Sequence, residues 1–438
     1  MGRRTVSVYC ALGSVFGSVM AVVPVEAQTT GGSLRQAQDA TTDLFARDRS
    51  VSVRARPRPE YEAMGLSLGA FGVFPKVEVG LERNDNIYAV STGEVGDSIW
   101  RVRPEVSVVS NWPRHSISAY ARASVNRYQD YGSEDSEDWS LGGSGVLDFA
   151  GRTTVSFGGD HLSAAEPRSS SSTPRAAVEP IEYAVTSAYA AAARTGGRMR
   201  LSGRADWRSL DYDDGRDATG AVIQQDDRDR RIVSGLVRSD VAISPATAVF
   251  VQASANSRDY DLPSSVGYAA RDSAGYELLA GVNFEVGAVA RGEVAAGYIS
   301  QAFDDGAYGD VDGFGARGLL EWFPTQLTTV TLSAARTIED SAIAGSGGYL
   351  STTASLQIDH ELLRNLIVFV SANLASDDYE GIDRTDERKS ASIGATYFVN
   401  RRVGLSVTAG AFDQSSEGAA AGPRFDQNRL MLSLVTQF

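Results

Sequence analysis

Cysteine is almost absent: Cys10 is the only one in 438 residues. A disulfide scaffold and a cysteine-built metal centre are both excluded. Lysine is nearly as rare. Only Lys76 and Lys389 occur, so almost all of the 41 positive side chains are arginine. Histidine appears three times, at His115, His161 and His360, too few and too scattered for a histidine metal cluster. No metal and no cofactor is expected. Positive charge is not in excess either. Fifty-five acidic against 41 basic residues leave a net charge of -14, which argues against a nucleic-acid partner, since such proteins carry a basic face. Past the N-terminus no run approaches the ~20 apolar residues of a membrane helix. A helical membrane protein is excluded.

What is present begins with an address. Arg3 and Arg4 precede an apolar stretch over Val6 to Val23, and Val25 and Ala27 suit a signal peptidase site. Residues 1–27 therefore read as a cleaved secretory signal. Cys10 lies inside it. Residues 28–70 form a polar leader, made basic by Arg47, Arg49, Arg54, Arg56 and Arg58 and broken by Pro57 and Pro59. It is expected to be unstructured in the periplasm, either as a solvated leader or as a docking arm for a periplasmic partner.

From residue 71 to 438 the pattern has period two. Val77, Val79 and Leu81 alternate with Lys76, Glu78 and Glu82. Trp100, Val102 and Pro104 alternate with Arg101, Arg103 and Glu105; Met199, Leu201, Ala205 and Trp207 with Arg200, Arg204, Asp206 and Arg208. Strand side chains alternate faces, so one face is apolar and the other charged. A soluble sandwich also alternates. Here the segments run 10 to 14 residues, longer than the usual ~5–6. Tight turns such as Ala150-Gly151-Arg152, Thr195-Gly196-Gly197 and Asn400-Arg401-Arg402 also alternate with longer acidic loops. Short periplasmic turns and long outer loops are the asymmetry of an outer-membrane barrel. The expectation is an all-β transmembrane antiparallel β-barrel of about 18 strands, with 16 also fitting, surrounded by outer-membrane lipid. The segment Ser169-Ser170-Ser171-Ser172-Thr173-Pro174 reads as a low-complexity external loop.

The last segment, Leu430 to Phe438, puts Leu430, Leu432, Leu434 and Phe438 on one face. It resembles the terminal signal read by the barrel-assembly machinery, with Thr436 where an aromatic is more usual. Near the first strands stand Glu82-Arg83-Asn84-Asp85-Asn86-Ile87-Tyr88, Pro104-Glu105-Val106, Trp112-Pro113-Arg114-His115 and Tyr128-Gln129-Asp130-Tyr131. In this order they resemble the putative β-barrel porin 2 family of Gram-negative outer membranes. The most specific parts are Asp85-Asn86-Ile87-Tyr88 and Trp112-Pro113-Arg114-His115. The resemblance implies a barrel linked to export of an exopolysaccharide, with a periplasmic polysaccharide-export protein and a secreted polysaccharide as partners.

The face opposite the apolar one supplies the lumen candidates: Arg101, Arg103, Glu105, Arg122, Arg200, Arg204, Asp206, Arg208, Arg291 and Glu293, with Lys76, Glu78, Glu82, Glu277, Glu285, Arg317 and Glu321. They form either interstrand ion pairs or an arginine track for an acidic polymer, since the guanidinium fork pairs with carboxylates. Asn84, Asp85 and Asn86 could offer oxygens to calcium, but the turn role of Asn and Asp is the stronger reading. No enzyme is expected. Asp160 and His161 are adjacent on a strand and so face opposite sides, and Gly142-Gly143-Ser144-Gly145 precedes no helix. Export pore, passive diffusion porin and structural or adhesive surface barrel remain the three functional expectations.

Overall fold

The computed structural model describes residues 51–149, 152–262 and 270–438. The signal at 1–27, the leader up to residue 50 with Arg47 and Arg49, and most of the Ala150-Gly151-Arg152 turn lie outside the described residues.

Eighteen long strands follow one another. β1 spans Phe71–Asn84, β2 Asp97–Ser110, β3 Ser116–Tyr128, β4 Ser136–Phe149, β5 Thr153–Ala165 and β6 Glu182–Gly196. β7 spans Met199–Tyr212, β8 Arg230–Ser244, β9 Thr247–Tyr260, β10 Ser273–Val286, β11 Ala290–Phe303 and β12 Val311–Thr325. β13 spans Thr328–Asp340, β14 Gly348–Leu363, β15 Leu366–Tyr379, β16 Thr385–Phe398, β17 Val403–Glu417 and β18 Phe425–Gln437. Each pairs antiparallel with the next, and β18 returns to β1 over Lys76↔Gln437 through Asn84↔Arg429. The sheet is closed, which removes the open edges that a bilayer cannot solvate. A strand of about 14 residues, at roughly 3.3 Å per residue and a tilt of roughly 40°, reaches about 35 Å, enough to cross an apolar band of ~25 Å.

The alternation resolves into an outside and an inside. Val77, Val79, Leu81, Val102, Leu201, Leu278, Ile393 and Leu405 stand exposed on the outer surface. Exposed apolar area on this scale needs lipid rather than water. Aromatic rings concentrate towards its two margins. Trp100, Trp139, Trp207, Tyr276, Tyr298 and Phe314 lie near the ends of their strands that carry the long loops; Phe149, Trp322 and Tyr397 lie near the short-turn ends. These are the two interfacial girdles of a membrane barrel.

Connections between β6 and β7, β8 and β9, β12 and β13, and β14 and β15 are two residues long, whereas residues 166–181 and 213–229 make long loops at the other end. The eighteen strands match the larger of the two counts that the alternation allowed.

The expectation of an unstructured leader over 28–70 does not hold for its described part. Residues 51–62 form turns against the inside of the short-turn mouth, and Leu66–Leu68 pairs with the start of β1. Val53 is fully buried beside Ile367 and Phe398. Proline removes helix but not side-chain anchoring, and the arginines find acidic partners on the wall.

Candidate functional site: the lumen and its two mouths

The charged face turns inward, and cross-strand register decides what its charges meet. On β1 and β2, Lys76 stands opposite Glu105 and Glu78 opposite Arg103. Ion pairs follow at Lys76–Glu105 (3.1 Å), Arg103–Glu78 (3.4 Å) and Arg101–Glu82 (2.9 Å). Arg204 closes on Asp206 (2.6 Å), Arg238 on Glu293 (2.8 Å), Arg291 on Glu321 (2.5 Å) and Arg317 on Glu277 (3.1 Å). Arg200 and Glu285 also face the lumen, opposite Asp240 and Arg291. Much of the predicted track is therefore wall, with guanidinium and carboxylate neutralising one another.

Two of the candidates differ. Arg122 donates to Ser140 Oγ at 2.7 Å and lies over the Tyr120 ring at 5.3 Å. Arg208 stands opposite Ser187 and Ile232. No salt bridge forms at either among the described residues; Arg122 bonds a hydroxyl, and Asp160 and Asp206 act on Arg208 from beyond ion-pair distance. They leave positive charge facing the lumen from β3 and β7.

Arginine also meets aromatic rings. Arg204 lies 4.1 Å from the Tyr189 ring centre, Arg238 3.5 Å from Phe250 and Arg54 5.3 Å from Phe369. Such contacts hold both groups against the wall. Space for two of the rings comes from glycine: a Cβ on Gly142 would meet Tyr120 at 2.7 Å, and one on Gly158 would meet Tyr189 at 2.8 Å. Within the Gly142-Gly143-Ser144-Gly145 run, Gly142 is thus a seat for an inward ring, and Gly145 makes room for Phe157 on the outer face.

At the outer mouth the β5–β6 loop folds inward. Ser171 Oγ donates to Asp386 Oδ2 of β16 at 3.2 Å, and Arg175 donates to the Ala89 carbonyl at 2.6 Å. Arg168 grips Glu134 with two bonds (2.7 and 2.9 Å), and Arg228 grips Glu166 (2.7 and 3.0 Å). The low-complexity run Ser169–Pro174 was expected to be external. It sits at the outer end, but Ser169, Ser170 and Thr173 are buried. Ser170 Oγ reaches Glu166 at 3.1 Å and Thr173 Oγ1 the Pro167 carbonyl at 2.9 Å. Short hydroxyl side chains satisfy a tight inward turn and do not merely solvate it. Sequence reasoning missed the partners of Arg168, Ser171, Arg175 and Arg228, which lie 34 to 215 positions away and leave no local pattern.

At the periplasmic mouth residues 51–62 are latched to β13–β18. Val53 N–H donates to Thr329 Oγ1 at 2.9 Å. Arg54 pairs with Asp359 at 2.7 Å, while Arg56 and Arg58 share Glu361 at 3.1 and 2.9 Å. Tyr61 stacks on Phe398 at 6.1 Å and accepts a bond from Gln437 at 3.1 Å. Burial lowers the Arg58 pKa, against the opposing pull of Glu361. Three of the leader's arginines are therefore engaged with the barrel itself.

The family-like motifs are structural clasps. Asn84 Oδ1 accepts the Asn86 N–H at 3.0 Å. The fully buried Asn86 side chain donates to the Val90 and Asp426 carbonyls (2.7 and 2.8 Å) and accepts from the Val90 N–H (3.1 Å). Asp85 takes the Asn428 N–H and side-chain amide at 2.6 and 2.8 Å. The run fastens β1 to β18, where the barrel closes. Ile87 is buried beneath it, and Tyr88 meets Tyr131 edge-on at 5.8 Å. Asn86→Ala leaves several buried groups without partners, a loss of about 1–3 kcal/mol. The folded band of this variant is expected to convert to the unfolded band at a lower temperature in a heat-modifiability gel, and an unchanged midpoint would remove the clasp. In the β2–β3 turn, Trp112 packs edge-on to Phe71 at 5.7 Å and His115 Nδ1 accepts the Asp148 N–H at 3.2 Å, while Pro113 and Arg114 are exposed. Leu430, Leu432, Leu434 and Phe438 are all exposed, the three leucines on the lipid face of β18. His161 bonds Thr186 at 2.8 Å, whereas Asp160 bonds Ser187 at 2.5 Å on the opposite face. No group of three or more metal-ligating side chains is assembled among the described residues.

The profile of the putative beta-barrel porin 2 family matches residues 58–438. The chain belongs to that family. Among solved structures, the porin resembles OpdL of Pseudomonas aeruginosa (12% identity, TM-score 0.43, covering 85% of this chain and 100% of that one). It also resembles OccAB2 of Acinetobacter baumannii (10%, 0.45, 85% and 99%) and the siderophore receptor PirA of Pseudomonas aeruginosa (9%, 0.43, 84% and 80%). A search of curated proteins finds no match. With a porin-family barrel, the long-loop end is the outer face of an outer membrane and the short turns are periplasmic.

On that outer face the porin carries an acid-sensitive point. Asp229 is pushed up to about 6 by partial burial and by Asp211, Asp226 and Asp261, against a bond from the Tyr212 N–H. A carboxyl raised in the folded state binds a proton there that the unfolded loop does not hold. Loop stability is therefore gained as pH falls from about 7 through 6 and levels off near the ordinary carboxylate value. Asp229→Asn is expected to slow hydrogen exchange at Tyr212 and Asp261 at pH 7.5, after correction for intrinsic rates. Exchange unchanged, or faster, would contradict this sign.

Proposed function

We propose that this porin-family barrel supports export of an exopolysaccharide across the outer membrane, after cleavage of the signal at 1–27 and insertion by the barrel-assembly machinery through Leu430, Leu432, Leu434 and Phe438. The observation that carries this reading is the state of the mouths. Residues 51–62 fold against the inside of the periplasmic mouth and residues 166–181 fold inward at the outer one, both held by side-chain latches. A conduit for a long polymer must be shut between chains, and latches that can part suit that need better than a permanently open diffusion pore. The lumen chemistry agrees. Arg122 and Arg208 offer charge to an acidic sugar, and Tyr120 and Tyr189 offer rings to a sugar face. A periplasmic polysaccharide-export protein is the partner proposed to act on the latch.

The test is a clean gene deletion with extracellular and periplasmic polysaccharide quantified against wild type and a complemented strain. Lost secretion, with polymer retained or its synthesis shut down, supports export. Unchanged polysaccharide rejects it and returns the barrel to passive diffusion of small solutes, a reading favoured by the neutralised ion pairs of the wall. Normal secreted sugar with lost surface attachment would indicate the adhesive barrel.

A further inference from the structure

At its outer end the wall does not run on as one sheet. β12 and β13 pair from Thr325↔Thr328 up to Ala316↔Arg336 and no further. Both strands continue. Residues 311–315 of β12 keep their pairing with β11, from Gly297↔Gly315 to Gln301↔Val311. Residues 337–340 of β13 keep theirs with β14, from Thr337↔Ser351 to Asp340↔Gly348. This leaves the β13-facing edge of residues 311–315 without a strand among the described residues. Such an edge is a template for a neighbouring strand. At roughly 2.5 Å of height per tilted residue, Gly315 stands about 25 Å above Thr325, at the top of the apolar band, where water reaches it.

The cause is the course of β13. Leu332 and Ala334 are exposed on its lipid face. Alternation puts Ile338 and Asp340 on that same face, and the β13–β14 register passes through both without a shift. Yet both meet lumen surface. Ile338 is buried in one cluster with Ile299, Phe303 and Val311, and Leu350 of β14 packs against it. Ile299 shares the inward face of β11 with Arg291 and Glu293. Asp340 pairs with Arg258 of β9 at 2.5 Å and Arg230 of β8 at 2.9 Å. Arg258 also donates to the Ile338 carbonyl at 3.2 Å, and Arg271 to the Ser341 carbonyl. The outward face of β13 reaches the inward faces of β8 to β11 because its outer end has slid inside the wall. The outer mouth is overlapped like a scroll, with β13 inside β12 and β11. An overlap of two strands takes roughly 10 Å off the circumference.

We propose that this overlap is a gate of the outer mouth, and that it opens when the end of β13 slides out and zips onto the free edge of β12. The register fixes the open pairing. Continued past Ala316↔Arg336, it sets Phe314 opposite Ile338 and Asp312 opposite Asp340. Phe314 is already 61% exposed on the lipid face. Ile338 and Leu350 then join Leu332, Ala334 and Ala354 on that face, which is where period two puts them. Zipping gains ladder hydrogen bonds. It gives up the buried cluster and the two arginines of Asp340, and it sets two carboxylates face to face, which is unfavourable. The resting mouth is therefore shut. β14 stays on β15 up to Tyr349↔Tyr379, so the outer ends of β13 to β15 move as one flap. Two discrete packings of one segment are what a switch requires. The gate acts on any passage through the lumen, so it stands apart from the export reading.

The experiment traps the open pairing in the full-length barrel, with Cys10, the only native cysteine, changed to Ser. Phe314→Cys with Ile338→Cys is expected to form a disulfide on mild oxidation, although the two strands are apart in the shut form. Ala316→Cys with Arg336→Cys is the control. That pair is already opposed and, two residues away on each strand, has the same place in the hydrogen-bond alternation. Conductance in planar bilayers is compared between oxidised and reduced protein that also carries Asp359→Asn and Glu361→Gln, so that the periplasmic latch does not mask the outer mouth. The oxidised 314/338 barrel is expected to conduct at least about twofold more on average, and reduction should reverse the gain. Asp340→Asn alone should also raise conductance, because losing a charge-assisted bond shifts the equilibrium about tenfold or more towards the zipped form. It should add nothing once the disulfide is closed, whereas a merely damaged fold would add to it. A cross-linked control beside an uncross-linked 314/338 pair overturns the proposal. So does a closed 314/338 disulfide with unchanged conductance, or an Asp340→Asn effect that persists in the oxidised barrel.

Discussion

Changing Asp359 to Asn and Glu361 to Gln together is expected to raise the mean single-channel conductance of the purified barrel in planar bilayers. The two carboxylates are nearly fully buried and hold Arg54, Arg56 and Arg58. Replacing them with amides keeps size and shape but leaves three guanidiniums packed together with no counter-charge. Breaking a buried pair in this one-sided way costs about 3–5 kcal/mol. Even a loss of ~3 kcal/mol, spent on the segment alone, shifts its in-and-out equilibrium on the order of a hundredfold. The barrel itself keeps its hydrogen-bonded ladder, since Asp359 and Glu361 point into the lumen from a strand paired on both sides. The double variant should therefore insert normally and show long open dwells where the wild type shows brief ones. Raised salt should move the wild type in the same direction by screening the latch. An unchanged conductance, with folded barrel in the gel, would mean that residues 51–62 do not limit passage.

The latch explains why the leader was misread. Arg54, Arg56 and Arg58 among prolines have the composition of a solvated tail, and nothing local distinguishes them from one. Their partners lie more than 300 positions away on β14. The barrel wall was legible because period-two alternation is a local signal repeated eighteen times, and each repeat is read within one strand. The inward set, from Lys76 on β1 to Glu321 on β12, followed from the same rule. What alternation cannot supply is which inward charges meet. Glu78 and Arg103 pair because the register sets them opposite each other, and register is a relation between strands. Asn86 shows the same limit. Its residue type indicates a turn, but its reach to Asp426 across the closing seam depends on the last strand lying beside the first. The inward course of Ser169–Pro174 had no sequence signature at all, because hydroxyl-rich chain suits an external loop and a satisfied internal turn equally well.

The lumen charges separate into two kinds, and the second large effect follows from that division. Arg101, Arg103 and Arg204 are held by Glu82, Glu78 and Asp206. Their removal would leave carboxylates unpaired and disturb the wall, so a secretion defect in such a variant would be ambiguous. Arg122 and Arg208 are better probes, because Arg122 bonds only a hydroxyl and Arg208 feels Asp160 and Asp206 from beyond ion-pair distance. Arg122→Ser with Arg208→Ser is expected to leave insertion and heat modifiability unchanged. Anion preference in a salt gradient should fall, with the reversal potential moving towards or past zero, because two fixed positive charges leave a confined lumen that carries ample acidic groups. If the barrel exports an acidic polymer, extracellular polymer should fall with it, and Arg122→Lys should restore part of the loss because charge is retained even where the guanidinium fork is not. A reversal potential that does not move would show that these two side chains do not face the conducting path. A moved potential with unchanged polymer would keep the pore and reject the acidic cargo.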